Sequence, residues 1–168
     1  MSESLPLMLK ELRLPAFGQH YRHFQDQAAE HAWSYSQYLA ALCEQEVAQR
    51  FQSRISNWTH EAKLPRGKSF ATLALTELPQ AAQKKVIALR DNTQWASQAD
   101  NVLLIGPSGV GKSHVAAALG LHLIEQGIRV KWISATALVQ LLQQAKKELD
   151  LMSVMTRLDK YRVLIIDD

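Results

Sequence analysis

The sequence holds a single cysteine in 168 residues, which excludes an intrachain disulfide and a zinc site built from cysteine clusters. It has no apolar run of about 18 residues, the length of a membrane-spanning helix. Its N-terminus has no basic-then-apolar leader, so no secretory signal is predicted. A cytoplasmic protein without membrane association is therefore expected. Cys43 falls within a helical apolar pattern and is expected to pack as a small hydrophobe.

Neither sign of charge dominates the chain. It carries 19 Lys and Arg against 16 Asp and Glu, a formal net charge of +3. This small excess is compatible with a nucleic-acid partner but does not argue for one. The hydrophobic fraction of 47% and the charged fraction of 21% are typical of a folded protein.

Helical periodicity extends over residues 5–63. Pro15 suits the first turn of one helix, and Ser34 with Gln37 makes a capping box that opens a long second helix. The apolar residues of this second helix follow helical spacing, which predicts its core face. They are Tyr38, Leu42, Cys43, Val47, Phe51, Ile55 and Trp58.

From Asn101 the pattern alternates between strands and helices, which predicts an α/β fold with a mainly parallel sheet. Residues 69–100 form a connector in which Pro79 begins a helix. The predicted domains are a helical region at 1–68, the connector, and an α/β region at 101–168. The predicted strands are 101–105, 129–134 and 161–166, and the helices between them are 114–126, 134–145 and 151–158. Gly127 is predicted as the C′ cap of the first of these helices.

The segment from Gly106 to Ser113 fits the pattern G-x-x-x-x-G-K-[ST] at every fixed position. It lies between a predicted strand and a predicted helix, an arrangement that points backbone N–H groups and a helix N-terminus at one anion. Lys112 is expected to reach the β- and γ-phosphates of a nucleoside triphosphate, and the Ser113 hydroxyl to ligate Mg²⁺. The cofactor-binding candidates are Gly106, Pro107, Ser108, Gly109, Val110, Gly111, Lys112, Ser113 and His114.

Two aspartates end the chain after the apolar run 163–166. A buried strand that ends in a carboxylate is how a nucleotide site holds the water shell of Mg²⁺, and Asp167 is the candidate for that role. Asp168 is placed to accept a proton from an attacking water or to orient it. Lys112 and Asp168 are therefore the catalytic candidates. Alternatively, the two acids only mark the end of a strand.

A short turn between the helical region and the connector carries Lys63, Arg66 and Lys68 around Pro65 and Gly67. Three cations in one loop suit contacts with DNA phosphates. The alternative is an ordinary solvated loop. Lys84, Lys85 and Arg90 form a second, weaker basic group, and Trp58 and Trp95 are interpreted as packing residues.

In these features the chain resembles the IstB family, the AAA+ helper ATPases of insertion-sequence transposition that are related to the helicase loader DnaC. The resemblance implies a P-loop AAA+ domain that binds ATP with Mg²⁺, assembles on DNA as a homo-oligomer and engages a transposase. It assigns Walker A to Gly106, Gly111, Lys112 and Ser113, and Walker B to Asp167 and Asp168. The segments that carry the resemblance are 12–15, 63–70, 101–114 and 164–168.

Members of that family continue beyond the Walker B acids. They add a strand between the Walker A and Walker B strands, a polar sensor residue and two functional arginines. The chain is therefore expected to be the N-terminal half of such a domain, with unpaired strand edges and an exposed apolar face. Hydrolysis is expected to be weak, because an arginine finger contributes about 10³–10⁵ in rate.

Three alternatives remain open from the sequence. One is a DnaC-like helicase loader that acts in DNA replication, which the phosphate loop does not separate from a transposition helper. Another is a small-molecule kinase with a phosphate loop, against which the helical N-terminal region argues. The last is a non-hydrolysing interaction fragment whose helices bind partners.

Overall fold

The computed structural model describes residues 4–168 and divides into two compact units, one ending at Arg54 and the other running from Ile55 to Asp168. The described part of the first unit is helical, and its last helix continues into the second unit. The three-part domain division stays a prediction. The helices are α1 (Leu5–Glu11), α2 (Pro15–Glu30), α3 (Tyr35–Ala62), α4 (Gln80–Asp91), α5 (Gln94–Ser97), α6 (Lys112–Glu125), α7 (Ala135–Lys147) and α8 (Leu151–Leu158), with a 3-10 turn at Leu75–Glu77 and strands β1 (Val130–Ser134) and β2 (Val163–Asp167).

Local sequence signals set the helix ends in the first unit. The backbone N–H of Ser34 donates to Gln37 Oε1 over 2.8 Å, and that of Gln37 donates to Ser34 Oγ over 3.2 Å. This reciprocal pair is the predicted capping box, and α3 begins at Tyr35 immediately after it. Pro15 is the first residue of α2, as predicted. Among the described residues, no helix is both long and apolar enough to span a bilayer.

A buried carboxylate from α3 caps the N-terminus of α2. The backbone N–H of Ala16 donates to Glu46 Oε2 over 2.9 Å, and Arg50 Nε donates to Glu46 Oε1 over 2.8 Å. Burial favours the neutral acid, but the hydrogen bonds from Arg50 and Ala16 outweigh it and place the pKa of Glu46 below its ordinary value. The negative charge also suits the positive end of the helix dipole.

This cap explains why the predicted core face of α3 is wrong in part. Tyr38, Leu42 and Glu46, four residues apart, form the inward row: Tyr38 donates through its hydroxyl to the Tyr21 carbonyl over 3.1 Å, and Leu42 is buried. Successive residues of a helix are rotated by about 100° about its axis, so the residues that directly follow Leu42 and Glu46 face solvent. Cys43, expected in the core, is exposed, and Val47 and Phe51 are 67% and 38% exposed.

In the second unit, α6 approaches β2 closely at Gly120. A Cβ on this residue would lie 2.7 Å from Ile165 Cδ1 and 3.0 Å from Leu64 Cδ2, inside van der Waals contact. The helix ends in a Schellman motif, as the predicted Gly127 cap requires: Gly127 N–H donates to the Ile124 carbonyl and Ile128 N–H to the Leu123 carbonyl. The residues buried around this contact are Ala62, Ala96, Leu123, Ile124 and Val130, with Trp58 and Trp95 packed against them.

The sheet consists of β1 and β2, paired in parallel from Val130 opposite Val163 to Ser134 opposite Asp167. α7 and α8 form the crossover between them. Ser134 ends β1 and caps α7, since its Oγ accepts from the Ala137 N–H over 3.1 Å. The parallel pairing and α8 match the sequence prediction.

The strand predicted at residues 101–105 is wrong, since this segment has no strand assignment. Its side chains do alternate: Val102 and Leu104 are half-buried, whereas Leu103 is 81% and Ile105 90% exposed. A strand also needs a hydrogen-bonded neighbour. Within residues 4–168 the sheet contains β1 and β2 alone, so this apolar segment has no ladder partner there.

Glu61, near the end of α3, joins that helix to the starts of both strands. Arg129 Nη2 donates to Glu61 Oε1 over 2.6 Å and to Oε2 over 2.7 Å, and the Tyr161 hydroxyl donates to Oε1 over 2.8 Å. The Lys131 ammonium donates to the Glu61 carbonyl over 3.0 Å. Hydrogen bonds from Arg129 and then from Tyr161 hold the pKa of Glu61 below its ordinary value. The same four groups thereby fix β1 and β2 against α3.

We expect Gly120→Ala to lower the free energy of unfolding by about 1 kcal/mol, because overpacking costs about 1–3 kcal/mol and the gain in helix propensity returns about 1 kcal/mol. Chemical denaturation measures the change. The double variant Gly120→Ala/Ile165→Val lacks the Cδ1 atom that the new Cβ would contact. It is expected to recover part of the lost free energy of unfolding.

Gly18→Ala is the matched control, because Gly18 also lies within a helix and a Cβ there meets nothing within 4 Å. This change is expected to raise the free energy of unfolding by about 0.5–1 kcal/mol. Equal stabilisation at both glycines would contradict the close approach of α6 to β2.

Glu61→Gln is expected to lower the melting temperature at pH 7, since it removes the charge that Arg129 binds. A carboxylate whose folded pKa is depressed contributes stability above its unfolded pKa of about 4.3, and the contribution is lost as the pH falls through the folded pKa. Melting curves of the two proteins from pH 7 to pH 3 should therefore converge at the acid end. Glu44→Gln, at an exposed position of α3, is the control. A difference in melting temperature between wild type and Glu61→Gln that stays constant down to pH 3 would contradict a stabilising Glu61 carboxylate.

Candidate functional site

The phosphate loop from Gly106 to Gly111 connects the unpaired segment 101–105 to α6. Gly109 and Gly111 have φ angles of 82° and 91°, in the left-handed region that favours glycine. A Cβ on either glycine would meet nothing within 4 Å, so the loop is open on the side that these residues face. Gly111 is the N-cap of α6, with no side-chain cap, and its open N-terminus makes an anion site. Pro107, Ser108 and Val110 are exposed along the same loop.

Lys112 folds back over this loop. Its ammonium donates to the carbonyls of Gly106, over 2.9 Å, and Pro107, over 2.7 Å. A cation is thus held at the mouth of a glycine-rich turn, where it complements an anion bound by the backbone N–H groups.

Ser113 and Asp167 meet although they lie on different elements. Ser113 Oγ, in the first turn of α6, donates to Asp167 Oδ1, at the end of β2, over 2.9 Å. The pair forms because α6 packs against β2 at Gly120. The structure therefore brings together the two residues that the sequence predicted as metal ligands. Asp168 follows directly and is exposed.

His114 contacts the loop after α3. Its Nε2 lies 3.2 Å from the Ser69 carbonyl oxygen and 3.1 Å from Thr72 Oγ1. The imidazole of His114, a cofactor-binding candidate in the sequence analysis, thus hydrogen bonds to protein groups. Thr72 was missed by the sequence analysis because it belongs to no motif.

A cavity of about 840 Å³ lies beside the phosphate loop. The loop and Lys112 form one wall. The opposite wall is mainly apolar and comes from the 3-10 turn and α4. The contribution of this connector to the site was not predicted, because its apolar residues also fit an ordinary core. The residues of that wall include Leu73, Leu78, Pro79, Ala82 and Val86.

These residues fit a nucleotide with a hard divalent cation. Hydroxyl and carboxylate oxygens are the ligands that Mg²⁺ prefers, and it usually takes the rest from phosphates and water. In the part of the chain that the structure describes, no group of three or more His, Cys, Asp or Glu side chains is placed to hold a metal. Ser113 and Asp167 would hold the ion together with the nucleotide.

Comparison with known proteins places the chain among proteins of insertion sequences. An insertion sequence ATP-binding protein of Sinorhizobium fredii is 42% identical over 164 residues, which is 98% of this chain and 55% of the relative. The IS21 ATP-binding protein of Pseudomonas aeruginosa is 30% identical over 98% of this chain and 62% of its own length. The ATP-binding protein of IS5376 from Geobacillus stearothermophilus is 29% identical over 100% of this chain and 66% of its own length.

The chain thus spans between about half and two thirds of the length of these relatives. The model of the family described as IstB-like ATP binding protein matches residues 7–168. The match includes the helices of the first unit, the phosphate loop and the acids at the end of β2. The chain therefore belongs to the family of IstB-like ATP binding proteins.

Proposed function

We propose that this protein binds ATP with Mg²⁺ and is an ATP-binding helper of DNA transposition that acts on DNA with a transposase. The observation that carries the proposal is the Ser113–Asp167 hydrogen bond beside a complete phosphate loop. The printed names of the relatives, ATP-binding proteins of insertion sequences, support the process in which it acts.

Each part of the nucleotide has a counterpart in the proposed site. The backbone N–H groups of the phosphate loop and the Lys112 ammonium bind the phosphates. Bound Mg²⁺ would neutralise charge on the β- and γ-phosphates, and Ser113 and Asp167 hold it. The apolar wall from α4 suits the base, because ligand cavities are mostly apolar with a few polar groups. Asp168, next to the metal ligand, is proposed to orient the attacking water in hydrolysis.

The partners of the protein follow from the same proposal. A transposition helper acts in the cytoplasm on DNA, contacts the transposase of its own element and assembles with further copies of itself. The first unit supplies helices for such contacts. Support comes from the family and from the names of the relatives, since the phosphate loop by itself serves many nucleotide-binding proteins.

Lys112→Ala is expected to weaken ATP binding at least tenfold, because it removes the cation that faces the phosphates. Isothermal titration of the purified chain with ATP, with and without Mg²⁺, measures the effect. Lys146→Ala, at an exposed position of α7, makes the same change of net charge and should leave affinity unaltered. Equal ATP affinity in wild type and Lys112→Ala would refute the nucleotide site.

Asp167→Asn tests the metal side of the site separately. A neutral amide is a poorer ligand for Mg²⁺, so the variant should lose most of the difference between ATP affinity with Mg²⁺ and with EDTA. The affinity measured in EDTA is expected to change little, and this serves as the folding control. A Mg²⁺ dependence as large as that of wild type would remove Asp167 from the metal site.

The proposed partnership is tested with the transposase of the same element. Labelled transposase, ATP with Mg²⁺ and a linear DNA duplex are mixed with this chain and sedimented. The transposase is expected to co-sediment with DNA more when wild type is present, and less when Lys112→Ala replaces it. Equal transposase recovery with and without the chain would contradict a transposition role for this part of the protein.

A further inference from the structure

A second cavity, of about 620 Å³, lies at the end of α3, and no residue of the phosphate loop lines it. It is lined by the last turns of α3, by the loop that follows and by Leu121 of α6. Three of its lining residues, Lys63, Arg66 and Lys68, are basic, and His60 adds an imidazole. No acidic side chain of the described residues lines it. The cavity is therefore an electropositive surface in a chain whose net charge is only +3.

The three cations are not neutralised within the fold. In the region from residue 4 to residue 168, none of them forms an ion pair with a carboxylate. The nearest acid in sequence, Glu61, already binds Arg129 and Tyr161. The Ser56 hydroxyl lines the same cavity and can donate to an anion, whereas the Thr59 hydroxyl donates to the Ile55 carbonyl over 2.8 Å. Three cations without carboxylate partners match phosphate oxygens.

The loop that carries these cations is held in a defined shape. Lys63 and Gly67 have φ angles of 59° and 75°, which turn the chain sharply after α3. Thr72 Oγ1 donates to the Gly67 carbonyl over 2.7 Å and accepts from the Ser69 N–H over 3.0 Å. His114 bonds to Thr72 Oγ1 and the Ser69 carbonyl, and this fixes the loop to the first turn of α6. The backbone that carries the three cations is thus held in one shape.

We propose that this loop is the site that binds the DNA backbone, with Lys63, Arg66 and Lys68 in contact with successive phosphates and Thr72 as the residue that positions them. The inference deepens the proposed function, because it names where on the chain the DNA lies. Duplex DNA is the proposed occupant because the relatives are named as proteins of insertion sequences, and an insertion sequence is itself a segment of duplex DNA. A row of backbone contacts gives binding without base specificity.

Salt dependence distinguishes phosphate contacts from an incidental positive charge. Each cation that neutralises a phosphate releases counterions, and the slope of log affinity against log salt is about −0.9 per contact on B-DNA. Replacing one contact residue should reduce the magnitude of that slope by about 1, and replacing three by about 2 to 3.

The experiment measures binding of the full chain to a labelled 30-base-pair duplex of arbitrary sequence between 50 and 200 mM salt, by fluorescence anisotropy. The variant Lys63→Gln/Arg66→Gln/Lys68→Gln is compared with Lys146→Gln/Lys147→Gln/Lys160→Gln, which removes three exposed cations elsewhere in the same unit. The loop variant should lose 2 to 3 units of slope, whereas the control keeps the wild-type slope. Equal slopes in the two triple variants, or no binding by wild type at 50 mM salt, would overturn the proposal.

Thr72 provides a second measurement with a different expectation. Thr72→Val keeps the shape of the side chain and removes the hydroxyl, so DNA affinity should fall about 2- to 10-fold as hydrogen bonds are lost. The slope should stay at its wild-type value because all three cations remain, and Thr72→Ser should restore the affinity. If Thr72→Val binds DNA with wild-type affinity, Thr72 does not position the cations.

Two further readouts keep this proposal separate from the nucleotide site. ATP titration of each loop variant checks that the second unit is folded, and Lys112→Ala is tested on the same duplex without ATP. No ATP binding by the wild-type chain, together with DNA binding that depends on the loop cations, would refute the nucleotide proposal alone. Tighter binding of an RNA duplex of the same length would overturn the assignment to DNA.

Discussion

The close packing of α6 against β2 at Gly120 is the constraint on which the nucleotide site depends. Because this position has no Cβ, the helix comes near enough to the strand for Ser113 Oγ to reach Asp167 Oδ1 over 2.9 Å. The two ends of the motif are far apart in sequence, and no local signal joins them. A wider separation of helix and strand would leave a phosphate loop and an acidic strand end that do not share a metal ion. The packing of one glycine thereby sets the geometry of a site about two turns away along α6.

Polar contacts around this apolar interface fix the remaining elements of the second unit. Glu61 binds Arg129 and Tyr161 at the starts of the two strands, so the end of α3 and the sheet have a fixed relation. His114 holds the basic loop to the first turn of α6 through Ser69 and Thr72. The residues that are proposed to bind phosphates of a nucleotide and phosphates of DNA are thus attached to the same helix. Neither Glu61 nor Thr72 belongs to a recognisable motif, yet each joins segments that are distant in the chain.

Sequence predicted the parts of the molecule that depend on local chemistry. The capping box at Ser34, the Gly127 cap, α8 and the parallel pairing of β1 and β2 were all expected, because each follows from a few neighbouring residues or from the strand–helix alternation. The errors arose where tertiary context decides. Cys43 was expected in the core, but a buried Glu46 that caps α2 occupies the inward row of α3. Residues 101–105 have the composition of a strand, but pairing depends on a neighbour. The motif residues of the site were predictable, whereas the cavity wall from α4 was not, because its residues look like ordinary core.

The central claim is that Ser113 and Asp167 hold one metal ion on a nucleotide bound at the phosphate loop. Replacing Mg²⁺ by paramagnetic Mn²⁺ in the complex with ATP tests it directly, because Mn²⁺ broadens the NMR signals of nuclei close to it. The account predicts the strongest broadening of backbone amide signals at Gly111, Lys112, Ser113 and Asp167. Loss of signals elsewhere in the chain, with Ser113 and Asp167 unaffected, would contradict it.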